Sequence, residues 1–95
     1  MIYSVSEEVP TAWNDIIETF LTMAEYSIEF HKSPEVYEVE FLVRRGLLYV
    51  NFKGGDHRID SYALFAKEMS AKICAECGLS ATRRVFLSPR CEECN

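Results

Sequence analysis

The sequence predicts an α+β fold: two helices packed on an antiparallel β-hairpin, followed by a small cysteine-rich C-terminal module. Three observations predict it. Apolar residues recur at three- and four-residue steps over residues 11–30 and again over 57–72, which is the period of a half-buried helix. Between Val36 and Phe52 the period falls to two, that of a strand. All four cysteines lie between residues 74 and 94. The 95 residues suit one domain (1–95), divided into a helix–hairpin–helix core over 1–73 and a module over 74–95. With 48% apolar and 13% aromatic residues the chain has enough material for a core, though a thin one that a covalent or metal staple would help.

The first helix runs from Thr11 to about Phe30. Trp13, Ile16, Ile17, Phe20, Leu21, Ala24 and Ile28 form its apolar face, and Asp15, Glu18, Thr22, Glu25 and Glu29 its polar one. Pro10–Thr11 is a start signal, and Pro34 biases Ser33 away from helix and ends it. In the first strand Tyr37, Val39, Phe41 and Val43 are expected to face inward, alternating with Glu38, Glu40 and Leu42 on an edge strand. Arg44-Arg45-Gly46 makes the turn, and Leu47–Phe52 the returning strand. Two strands are too few to be stable alone, so either the module's strands or a second copy should extend the sheet. Gly54-Gly55 breaks the strand and Asp56 caps a second helix ending near Lys72. Its inward stripe is Ile59, Tyr62, Ala63, Ala66, Met69 and Ile73, with Leu64 or Phe65 left facing out.

No apolar run approaches the ~18 residues needed to cross a bilayer. Residues 1–8 lack the basic-then-apolar order of a secretory signal, so a reducing cytoplasm is expected. In that setting paired cysteines bind metal or carry redox chemistry more often than they form disulfides. Cys74, Cys77, Cys91 and Cys94 form two Cys-x2-Cys pairs separated by thirteen residues. Each short spacing turns both sulfurs toward one point, and two such turns complete a tetrahedron, the zinc-ribbon arrangement. We therefore expect one Zn2+ with all four positions filled by thiolates. Such an ion is structural, since no position stays open for water or substrate. Two disulfides, or an iron–sulfur cluster, are the competing readings.

The formal charge of −5 is unevenly placed. Residues 1–42 hold nine acids against Lys32 alone, while residues 43–95 carry an excess of bases. No nucleophile motif is present, and the catalytic set is read as none; His31 and His57 are the two histidines on which a small hydrolase could be built. The acidic half disfavours general contact with phosphate backbones and favours a basic protein partner, with Glu18, Glu25, Glu29, Tyr37, Glu38 and Glu40 as the docking residues. An ordinary solvated face is the rival reading of the same acids. A nucleic-acid partner would instead use Arg44, Arg45, Arg83, Arg84 and Arg90, with Phe86 stacking on a base. A homodimer through the hairpin edge stays open.

The order Trp13, Ile16, Ile17; Val39 to Gly46; Leu48, Val50, Phe52; Gly54-Gly55-Asp56; Ile59, Ala66, Ser70; then Cys74-Ala75-Glu76-Cys77-Gly78 resembles a largely uncharacterised family of small bacterial and phage proteins. The resemblance runs from about Trp13 to Cys94. It implies a helix, a hairpin, a Gly-Gly-Asp break, a second helix and a zinc-binding module. The family's last ligand is often histidine where this chain has Cys94, and its basic-aromatic turn is Arg44-Arg45 here. The resemblance brings no activity, but with the small size and acidity it suggests an inhibitor or immunity-type protein that neutralises a basic partner.

Overall fold

The computed structural model describes residues 1–85 and 87–94. Along the chain it contains β1 (Ile2–Val5), a 3-10 turn (Thr11–Trp13), α1 (Asn14–Phe30), β2 (Val36–Arg44), β3 (Leu47–Gly54), α2 (His57–Ser70), β4 (Arg83–Val85) and β5 (Ser88–Arg90). The α+β class, the two helices and the hairpin agree with the sequence reading. Among the described residues no helix is long and apolar enough to cross a membrane.

The main sheet has three strands rather than two, in the order β1-β2-β3. β1 pairs parallel to β2, from Ile2 opposite Glu38 to Val5 opposite Phe41. A parallel neighbour needs a crossover, and α1 supplies it, making a β–α–β unit. The expectation that β2 is an edge strand is thereby overturned: it is the central strand. The hairpin is extended by β1 rather than by the module's strands or a second copy, and β4 and β5 form a separate two-stranded sheet.

β2 also departs from strict alternation. Its register with β3 shifts between Val36 and Glu38, so Tyr37 is the extra residue of a bulge. The bulge lets Val36 and Val39 both point into the core, and it turns Tyr37 out to 66% exposure. The predicted inward Tyr37 is therefore corrected. Gly54 sits opposite this bulge at φ +89°, and a Cβ there would lie 2.3 Å from the carbonyl oxygen of Glu35.

α1 and α2 pack on one face of the sheet. Trp13, Ile16, Ile17, Phe20 and Ala24 meet Val39, Phe41, Leu48 and Val50 from the sheet and Ile59 and Ala66 from α2. Phe20 and Phe41 meet edge to face, their centroids 5.7 Å apart. α1 ends where Lys32 adopts φ +58° and the Ser33 N–H returns to Ser27 O (3.2 Å). Asp56 caps α2 as expected, its carboxylate accepting from the Arg58 N–H at 3.1 Å. Leu64 and Phe65 both face solvent, where one was expected to turn in. The Ser70 hydroxyl accepts from the buried Leu48 N–H (3.0 Å), tying the end of α2 to β3.

Contacts at the root of the cysteine module and at its far end dock it on this core. The Trp13 indole N–H donates to Ile73 O (3.2 Å). The Arg84 guanidinium donates to Arg45 O (3.0 Å), joining β4 to the β2–β3 turn. At the same joint Gly46, at φ +79°, lies so close to Leu87 that a Cβ would stand 2.0 Å from the Leu87 carbonyl oxygen.

Candidate metal centre

The sequence places Cys74 and Cys77 in the turn that follows α2, and Cys91 and Cys94 in the turn that follows β5. The first turn is closed by backbone bonds from the Cys74 N–H to Leu79 O (2.7 Å) and from the Gly78 N–H to Cys74 O (3.0 Å). Gly78 has φ +82°, a conformation that glycine adopts without strain. The second turn is closed by the Cys94 N–H to Cys91 O (3.3 Å). The two turns are held side by side by Ala75 N–H to Pro89 O (3.0 Å) and Thr82 N–H to Arg90 O (2.9 Å).

All four sulfurs converge: every pair lies within 4.8 Å, and Cys77 Sγ and Cys91 Sγ are 3.6 Å apart. A tetrahedron with metal–sulfur bonds of about 2.3 Å requires sulfurs about 3.8 Å apart, so the cluster has the dimensions of a four-thiolate site. Its electrostatics point the same way. Burial opposes ionisation of Cys74, but the backbone N–H groups of Cys77, Cys91 and Glu76 outweigh it and bring the thiol down to about 6. Cys77 is raised overall, although the Leu79 N–H favours its thiolate, because burial and the sulfurs of Cys91 and Cys74 oppose it. Cys94 is raised by its contacts with the sulfurs of Cys91 and Cys77 and by burial. Cys74 ionises readily while Cys77 and Cys94 resist it; a cation among the sulfurs removes that conflict. The donor set is therefore that of a metal site, and all four predicted ligands belong to it.

The six predicted docking residues do not form one surface. Glu18, Glu25 and Glu29 are exposed on α1, joined by Asp15 and Thr22 in a single stripe. Glu38 and Glu40 alternate with the core residues Val39 and Phe41, which places them on the opposite face of the sheet from the helices. Glu38 is partly neutralised there by Lys53 at 3.7 Å. Tyr37 stands apart on the bulge.

The five arginines of the alternative nucleic-acid surface also divide. Arg90 pairs with Glu76 (3.2 Å), and Arg83 donates to the carbonyls of Glu92 and Cys94 beside the metal site. Arg44, Arg45 and Arg84 gather at the joint instead, and Lys67 of α2 joins them. Sequence reasoning missed Lys67, because only the antiparallel return of α2 over β3 brings it there. Phe86 lies outside the described residues. His31 and His57 are exposed at the C-terminal end of α1 and the N-terminal end of α2.

Compared with known protein families, with curated proteins and with solved structures, the chain matches none.

Proposed function

We propose that the protein is a non-enzymatic binding module, stapled by one structural zinc ion, that docks a basic protein through the acidic stripe of α1. The stripe carries this reading. Asp15, Glu18, Glu25 and Glu29 are all exposed, and none pairs with a cation among the described residues. From Asp15 to Glu29 the stripe spans about 21 Å of helix at 1.5 Å per residue, enough to face a basic surface of ordinary interface size. Glu38 and Glu40 fall outside the interface in this reading, being on the far face of the sheet. The small size, the acidity and the resemblance to bacterial and phage proteins support an inhibitor or immunity-type role.

Zinc is the ion of choice because four thiolates at tetrahedral distances suit it, and they leave no position for substrate. When bound, it supplies folding free energy, roughly 10–16 kcal/mol apparent in zinc-finger peptides, to a segment with almost no core of its own. Elemental analysis beside native mass spectrometry should give one zinc per chain; iron in its place would overturn the assignment.

Docking is tested by charge reversal. Affinity capture at rising salt should retain one basic protein stoichiometrically on the zinc-loaded wild type. The triple variant Glu18→Lys, Glu25→Lys, Glu29→Lys should lose it, at unchanged zinc content and circular dichroism. Capture that survives the triple reversal would place the interface elsewhere.

A further inference from the structure

Where the β2–β3 turn, α2 and the cysteine module meet, an open cleft of about 510 Å3 is walled by Arg44, Arg45, Lys67 and Arg84. Its charge is unbalanced from within. The chain holds fifteen acids and a formal charge of −5, yet among the described residues none of these four cations pairs with a carboxylate. The ion pairs among the described residues join Lys53 to Glu38 and Arg90 to Glu76. Four like charges around one opening repel each other, an arrangement that an anion in the cleft would relieve.

Two of the cations are also fixed in position. Arg84 donates from Nε to Leu87 O (2.6 Å) and from Nη2 to Arg45 O (3.0 Å), neutral acceptors that orient the guanidinium and leave its charge in place. Arg44 lies over the Tyr49 ring with Cζ 4.4 Å from the centroid, a cation–π contact that holds it at the mouth. Between the cations the lining is apolar and aromatic, with Tyr49 and Leu87 exposed. A lone phosphate has no use for such a lining, and a duplex, whose bases are stacked inside, would meet only the cations. Several cations around an apolar, aromatic surface match a single strand, which offers phosphates and unstacked bases together.

We propose that this cleft binds the phosphodiester backbone of single-stranded nucleic acid. The site is separate from the α1 stripe, and neither proposal depends on the other.

The test is fluorescence anisotropy of a labelled twelve-nucleotide oligo-dU with the zinc-loaded protein. If all four cations meet phosphates, the slope of log K against log salt is about −2.8, so affinity falls about fiftyfold between 50 and 200 mM. The double variant Arg45→Glu, Lys67→Glu spares the Arg84 joint. It should weaken binding at least tenfold and flatten the slope by about 1.4. Lys53→Gln, outside the cleft, should bind as the wild type does. Absent binding at 50 mM salt, or a double variant indistinguishable from wild type, would overturn the proposal. So would equal affinity for a duplex of the same length, or displacement of the oligonucleotide by inorganic phosphate at matched phosphate concentration.

Discussion

Gly46 shows at one residue what local sequence can and cannot say. Arg44-Arg45-Gly46 reads as a turn, and a turn it is, with Arg45 and Gly46 both at positive φ. That the Leu87 backbone packs against Gly46 is a contact across forty-one positions, which turn chemistry cannot encode. Asp56 is the opposite case: its cap is made within two residues and is legible. Gly46→Ala would meet both penalties. The left-handed conformation disfavours alanine by about 1 kcal/mol, and the new Cβ, 2.0 Å from a backbone oxygen, forces the two turns apart. We expect a loss of about 2–4 kcal/mol in urea denaturation, from strain and lost docking together. A loss below 1 kcal/mol would mean that the turns separate freely.

At the scale of the element, the helices and the hairpin were legible because each carries a sustained period against a single buried face. β1 was not. Its four residues are all exposed, so it has no inside-and-outside pattern, and only its parallel pairing with β2 makes it a strand. The β2 bulge was hidden for a related reason: alternation predicts an inward Tyr37, and only pairing with Gly54 reveals the extra residue. β1 should still matter, since it covers what would otherwise be an open strand edge. The Ser6 N–H donates to Phe41 O (2.9 Å), and by strand alternation the Ser4 N–H points the same way. Ser4→Pro removes that donor, and we expect about 1–3 kcal/mol of destabilisation. Amide exchange should quicken on the β1 side of β2 and hold on its β3 side. Unchanged exchange on both sides would show that β1 adds nothing.

For the whole molecule, the question is whether the metal holds the entire fold or one end of it. The ligand set was legible because Cys-x2-Cys spacing is itself the geometry of a site, whereas the split of the acidic residues depended on which faces the sheet turns out. Most buried side chains lie between Val9 and Ala66, while the module buries little beyond Cys74, Ala75, Pro89 and Cys91 and has strands of three residues. Without a cation the module must hold four clustered thiols on that small base, with Cys77 and Cys94 resisting ionisation. The core, by contrast, has its own buried cluster between helices and sheet. Chelation should therefore unfold residues 74–94 and leave the far-UV helical signal largely intact. Trp13, the one tryptophan, reports the difference: it is 1% exposed, and its indole N–H is bonded to Ile73 O at the module's root. Its emission should shift to the red on chelation and return on adding zinc. Acid should act in the same direction, since the ligands bind as thiolates and protonation competes with the metal as pH falls. Loss of the helical signal together with the tryptophan shift would show one cooperative unit, in which the joint at Gly46 and Arg84 transmits metal loss to the core.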